Sequence, residues 1–352
     1  MIPVLRSWYE RHFSDPQAVI LAILLLVGFT IIMLMGDVLT PVIAAVVIAY
    51  VLEGMVKKLQ RLKVPHVLAV VTVVILFIIL LLIILLGLAP LLSKQLSQFF
   101  RELPNMLNRG QEILMTLPQQ YPFISVTQIE DIVTSIHVEL AAFGQKVVSI
   151  SVSSAFDLFT ILVYMIVVPL LVFFFLKDKV LVIRWLMRFL PSKEGLASRV
   201  WHEVDLKMGN YIRGKLLEIV IVSVATFIPL KFMGLEYAAL LSLLVGLSVI
   251  IPYVGAIAVT IPVVLIAYFQ WGFGSEFIYL VVSYGIVQFL DGNLLVPLLF
   301  SEVVNMHPAA IIISVLVFGG LWGVWGVFFA IPLATLIQAV INAWPVDNQA
   351  VT

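Results

Sequence analysis

Apolar residues run along this chain in long unbroken blocks. Val67 to Leu92 is a 26-residue stretch with no charge and Thr72 as its one strong polar group. As a helix it extends about 39 Å, enough to cross a hydrocarbon core about 30 Å thick with some tilt. Ala18–Met35 and Ala155–Leu176 read the same way, the latter with one acid, Asp157, near its start. Asp15-Pro16 reads as a helix N-cap with proline at the first helical position. The block after it is longer than an ordinary signal-peptide core, and no small-x-small cleavage site follows, so an uncleaved anchor is predicted.

Between the blocks, bases alternate in density. Arg6 and Arg11 precede the first, a base-free Gly36-Asp37 turn follows it, and Glu53–His66 holds Lys57, Lys58, Arg61 and Lys63. Ser93–Ile150 spreads four bases over 58 residues, whereas Lys177–Lys215 packs nine into 39. Base-rich short loops stay in the cytoplasm. The expectation is a multi-pass membrane protein, N-terminus cytoplasmic and Ser93–Ile150 outside. The divisions are N-terminal membrane helices (1–92), an extracytoplasmic region (93–150), a membrane helix (151–176), a basic cytoplasmic region (177–215), a C-terminal membrane region (216–345) and a tail (346–352).

Neither polar region reads as a loose linker. Leu92, Leu96, Phe99, Phe100 and Leu103 recur at helical spacing, as do Ile129, Ile132, Val133, Ile136 and Leu140, with Pro118–Pro122 breaking the chain between them. Two amphipathic helices outside the membrane are predicted, on its surface or against neighbouring subunits. Val180–Leu190, carrying Arg184 and Arg188, suits a helix in the headgroup layer. Glu194–Lys215 places Trp201, Val204, Met208, Tyr211 and Ile212 on one face.

Past Leu216 the blocks shorten and fill with Gly and Pro. Ala238–Ile251 ends in Pro252-Tyr253-Val254-Gly255, and Ala256–Trp271 follows at once, which predicts a tight hairpin. Ala309–Leu321 repeats the form through Gly319, Gly320, Gly323 and Gly326. The second arms share an Ile-Pro at Pro262 and Pro332, 70 residues apart. Backbone freed by such breaks must be buried in protein or line a wet cavity, and paired broken segments point to a transport site. Close helix packing through small residues is the alternative.

Between the hairpins, Phe277–Leu290 is 14 residues, about 21 Å as a helix and too short to cross alone. To span, it must continue through Asp291-Gly292-Asn293 to Phe300, taking Asp291 and Asn293 inside the membrane. Glu302, Asn305 and His307 follow. An intramembrane acid costs about 2.5–3.5 kcal/mol on insertion scales and normally faces a cavity. No Lys or Arg follows Lys231. Asp291 and Glu302 are therefore expected to be hydrated, protonated, bonded to amides or His307, or paired with a proton or a monovalent cation. In an ordinary cytoplasmic loop the same residues would be merely solvated.

Composition narrows the function. Residues are 62% hydrophobic and 11% charged, against about 45–50% and 25% in soluble domains. The absence of cysteine removes disulfide, thiolate and Cys-zinc chemistry. All 20 bases and 15 of the 20 acids lie at or before Lys231, which leaves no long soluble basic domain for nucleic acid. No HExxH, GxSxG or P-loop pattern is present, so neither an enzyme, a cofactor, a metal site nor ATP-driven pumping by this chain is expected.

The Pro252-Tyr-Val-Gly-Ala256 turn, Asp291-Gly-Asn-Leu-Leu-Val-Pro297, Met306-His-Pro308 and Gly319-Gly-Leu-Trp-Gly323 resemble the autoinducer-2 exporter family. Arg11-His-Phe-Ser-Asp-Pro16 and Asn210-Tyr-Ile-Arg-Gly-Lys215 resemble its PerM-type permease branch. The resemblance implies an all-α inner-membrane transporter of about eight hydrophobic segments, assembled as a homo-oligomer. It implies export of autoinducer-2 or another small polar solute, or sodium(lithium)/proton antiport. The leading expectation is a secondary transporter, with a passive pore or a partner-recruiting membrane protein as alternatives.

Overall fold

A computed structural model describes residues 16–120, 134–135, 155–186, 188, 196–252, 254–300 and 306–343. Helices α1 (Pro16–Leu34), α2 (Gly36–Arg61) and α3 (His66–Ile83) come first. A π-helical turn, Ile84–Leu88, joins α3 to α4 (Ala89–Gln120). Next are α5 (Ala155–Lys177), α6 (Lys179–Leu186), α7 (Leu196–Phe232), α8 (Ala238–Ser248), α9 (Val254–Trp271) and α10 (Ser275–Leu290). A second π turn, Asp291–Leu295, links α10 to α11 (Val296–Phe300), and α12 (Pro308–Ala343) follows. No strand occurs among the described residues.

Five helical stretches are long and apolar enough to cross a membrane, Val38–Arg61, His66–Glu112, Val254–Trp271, Ser275–Phe300 and Pro308–Ile341, the last of them broken at Trp322–Gly323 into two shorter arms. Ile23–Leu34, Val163–Lys177 and Ala238–Ser248 are shorter apolar helices. Ile79, Leu80, Ile83 and Leu86 are exposed, as are Ile278, Val282, Ile286 and Phe289 along one face of α10. Such apolar belts suit lipid and would be costly in water. The protein is an all-α multi-pass membrane protein.

The long rods join segments that hydrophobicity separates. The His66–Glu112 stretch has 47 residues and extends about 70 Å, over twice the hydrocarbon thickness. The first amphipathic segment therefore leaves as a continuation of the third apolar block. The segment Ile129–Leu140 lies outside the described residues, apart from Thr134 and Ser135. Likewise α7 carries the basic Leu196–Lys215 stretch straight into the apolar Leu216–Phe232, and α6 covers the first part of the basic Val180–Leu190 segment.

Helix α7 organises the bundle, packing on α1, α2, α8, α10, α11 and α12. Its C-terminal half builds one core with α8, α9 and α10 through Val222, Leu230, Leu241, Val245, Val263 and Leu280. Its N-terminal half builds another, where Tyr211 and Ile212 meet Phe300 of α11 and Phe328 and Ile331 of α12. A third core joins α2, α3 and α5 through Ala45, Ala69, Val70, Val73 and Val172. The two base-rich loops share one end of the molecule. There His66 Nδ1 lies 3.0 Å from Gln60 Nε2, and His66 Nε2 lies 3.2 Å from the Lys177 carbonyl.

Close approach of α8 to α7 depends on Gly246. A Cβ there would overlap Ser223 Oγ and stand 2.6 Å from the Ile219 carbonyl oxygen, which is backbone and cannot yield. Gly246→Ala is expected to lower stability by about 1–3 kcal/mol through overpacking. Gly285→Ala, where nothing lies within 4 Å, should be neutral or slightly stabilising from helix propensity. Thermal unfolding of the purified variants in detergent checks both.

Candidate functional site

Both Gly/Pro breaks are sharp chain reversals. The first lies between α8 and α9, where a Cβ on Gly255 would strike the Ser248 carbonyl. Pro252 sits in the turn, and Tyr253 lies outside the described residues. The second lies within α12: Trp322 and Gly323 leave helical geometry, and Gly323 has φ +58. A side chain at that φ is strained, which favours glycine. A Cβ on Gly326 would overlap the Phe318 carbonyl, and one on Gly319 would meet Val327 Cγ2 at 2.8 Å. Residues seven or eight apart touch in this way only when two arms fold back on each other. Gly320 faces open space, and Pro262 and Pro332 lie inside the second arms. The tip of the second hairpin lies against the α1–α2 joint, with Trp322 Nε1 3.0 Å from where a Gly36 Cβ would stand.

Asp291 opens the π turn inside the continuous Ser275–Phe300 rod. The 14-residue block does continue through Asp291-Gly-Asn293, as its length requires. A π turn carries an extra residue and leaves backbone groups out of the regular ladder, a feature frequent at functional sites. Asp291 is half-buried, and its Oδ1 is buried without a hydrogen-bond partner.

What faces Asp291 was not legible in the sequence. The C-terminal blocks contain no base, yet α7 packs on the π turn and brings Lys215 and Glu218 into electrostatic range of Asp291. Lys215 and Glu218 form an ion pair of 2.6 Å with side chains 5% and 2% exposed. Lys215 Nζ donates to the Val249 carbonyl at 2.9 Å, just past the C-terminus of α8, and stands 5.0 Å from the centre of the Phe300 ring. The carbonyl end of a helix and an aromatic face both favour a cation. One ammonium therefore ties the first hairpin and the end of the α10–α11 rod to the Glu218 carboxylate.

The same part of α7 holds further unpartnered oxygens. Ser223 Oγ and Thr226 Oγ1 are buried with no hydrogen-bond partner, and Glu218 Oε2 has its ion contact but no hydrogen bond of proper geometry. Glu218 and Thr226, two turns apart, share a helix face. Orphaned polar atoms are rare in folded proteins and each calls for a cause, such as an ion or water path. Oxygen-rich sets suit hard cations.

Of the remaining sequence-predicted residues, the two that are described, Asn293 and His307, make local bonds. Asn293 Nδ2 donates to the Phe289 carbonyl at 3.0 Å within its own helix and is exposed. His307 Nδ1 accepts from the Ala309 N–H at 3.2 Å and so caps the start of α12. No hydrogen bond among the described residues joins either to Asp291. Glu302 and Asn305 lie outside the described residues.

A polar cavity of about 730 Å³ opens between α4 and the α7–α8 and α9 ends. Gln95, Gln98, Arg101, Glu102 and Arg109 line it from α4, with Glu236, Tyr237 and Gln270 opposite. Gln95 Oε1 accepts from the Leu240 N–H at 2.9 Å, and Gln270 bonds Glu236 N–H and the Gly234 carbonyl, each at 2.9 Å. Burial first, then the Glu236 and Glu102 charges, push the Tyr237 phenol above its ordinary value, which keeps it neutral. Its size is that of a small-molecule site. The α4 residues at 95, 98, 102 and 109 share a helical face, a pattern visible in the sequence once α4 is known to pack on α8.

Residues 19–346 match the family described as AI-2E family transporter. The chain belongs to that family. "Putative permease PerM" of Escherichia coli (strain K12) is 47% identical over 350 residues, covering 99% of each chain. "Putative transport protein YueF" of Bacillus subtilis (strain 168) is 28% identical over 85% of this chain and 82% of its own. "Putative transport protein sll0063" of Synechocystis is 22% identical over 97% and 89%. The similarity extends over nearly the whole chain, and the protein is a permease-type member of the AI-2E family.

Proposed function

We propose that the protein is a secondary transporter of a small polar solute or monovalent cation, in which Asp291 carries the coupling charge. The supporting observation is the Asp291 carboxylate in a π turn, within electrostatic range of the buried Lys215–Glu218 pair of α7, a helix that also carries unpartnered oxygens. Two carboxylates here share one base, so an excess negative charge remains for a proton, sodium or lithium ion to neutralise. When the cation binds Asp291, the pull of Asp291 on Lys215 weakens and the ammonium turns wholly to Glu218 and Val249. When it leaves, Lys215 is drawn towards the π turn.

Because Lys215 also holds the Val249 carbonyl, this exchange acts on the first hairpin. A two-position hairpin beside a charge site is the element that alternating access needs. The polar cavity at the α4–α8 end offers a vestibule of suitable size. The charge pattern supports an inner-membrane location with the base-rich loops cytoplasmic, and self-assembly into a homo-oligomer accords with the family resemblance.

The test is solute and cation uptake into proteoliposomes, with sodium, lithium and small polar metabolites as probes, under imposed proton or sodium gradients. Uptake is expected to follow the gradient and to stop when it is collapsed. Flux indifferent to every gradient would instead identify a passive pore.

A further inference from the structure

A second cavity, of about 520 Å³, lies at the base-rich end of the molecule, away from Asp291 and in a different helix cluster. Its wall is apolar: Val46 and Ala49 of α2, Leu176 of α5, and Val180, Val182 and Ile183 at the start of α6. Its rim is basic. Lys57, Lys177 and Lys179 face one acid, Glu53.

The pairing within the rim is unequal. Glu53 takes both Lys179 contacts, at 2.8 and 2.9 Å, and a Lys57 contact at 2.9 Å. One carboxylate therefore serves two ammonium groups, and the Lys57 side chain is 63% exposed, free to swing towards a second anion. Lys177 stands 5.8 Å from the Phe173 ring centre and has no carboxylate within ion-pair distance among the described residues. The His66 ring is held between Gln60 Nε2, 3.0 Å from its Nδ1, and the Lys177 carbonyl, 3.2 Å from its Nε2. Among the lining side chains, three lysines exceed the one carboxylate by two positive charges, above an apolar slot between membrane helices.

We propose that this cavity seats an anionic phospholipid, with acyl chain along the apolar wall and phosphate between Lys57 and Lys177. An apolar slot alone would take any lipid tail, and basic loop residues alone would attract any anionic surface. The combination in one cavity selects a ligand that carries both features, and basic pockets between membrane helices bind such headgroups. Occupancy would hold α6 against α2 and α5, because the slot is formed where these three helices meet.

The experiment uses the full-length protein, purified in detergent and stripped of lipid. Binding of phosphatidylglycerol, phosphatidylcholine and inorganic phosphate is followed by native mass spectrometry and by the shift in thermal unfolding. Phosphatidylglycerol is expected to bind about tenfold more tightly than phosphatidylcholine. That preference should vanish in Lys57→Gln/Lys177→Gln and persist in Lys58→Gln/Lys63→Gln, whose residues belong to the same loop but not to the cavity. The lipid-free unfolding midpoints of the variants report that both are folded. Equal binding of the two lipids by the wild-type protein overturns the proposal, as does equal loss in the two double variants. Saturation by inorganic phosphate that phosphatidylglycerol cannot displace assigns the site to a soluble phosphate ligand and overturns it as well.

Discussion

Asp291→Asn is expected to bring gradient-driven flux to background while leaving expression, membrane insertion and unfolding midpoint at wild-type values. The substitution keeps the size of the side chain and removes its charge. Asp291 Oδ1 makes no hydrogen bond, so no network collapses. An acid at the middle of a membrane helix costs about 2.5–3.5 kcal/mol on insertion scales, a cost that the amide relieves in part. Stability should therefore hold or rise as function is lost, which separates a functional charge from a structural one. Glutamate in its place should retain measurable flux with altered ion dependence, since the ionisable group survives at a displaced position. Reconstituted flux measured beside thermal unfolding gives both readouts, and normal coupled flux in the asparagine variant would remove Asp291 from the mechanism.

Lys215→Met should have the opposite signature, a large loss of stability. It strands Glu218, whose side chain is 2% exposed, takes the base away from Asp291, and leaves the Val249 carbonyl without its donor. Removing one member of a buried pair costs about 3–5 kcal/mol, because the partner's charge stays buried without compensation. The double variant Lys215→Met/Glu218→Leu is expected to recover most of that loss, since well-packed apolar groups often replace a buried pair at little cost. Flux should not return with stability, because the connection from the π turn to the first hairpin runs through the ammonium. Unfolding midpoints of the single and double variants, with gradient-driven flux in the double, check the argument. A folded double variant with wild-type coupling would show that the Lys215 tie is structural only.

The length of the Phe277–Leu290 block was enough to require its continuation through Asp291, because a helix has a fixed rise and a bilayer a fixed thickness. Gly323 and Pro252 announced chain reversals because local backbone sterics decide them. Lys215 was read as one of many basic residues that set topology. Its role depends on α7 running unbroken from the basic segment into the bundle and meeting a turn 76 residues later, which no local pattern encodes. Asn293 and His307 looked like ligands by proximity in sequence, but their side chains bond within their own helices.

What the chain by itself determined is its solvent and its local shapes: an all-helical membrane protein, where its apolar rods run, and where they break. Those follow from hydropathy, helical rise and Gly/Pro sterics, all short-range properties. Tertiary structure alone decided which charges meet. An ion pair between α7 residues becomes a site for Asp291 only when α7, α8 and the α10–α11 rod pack together, and a lysine-rimmed slot exists only where α2, α5 and α6 converge. Electrostatic energy depends on distance through space, and sequence separation does not set that distance.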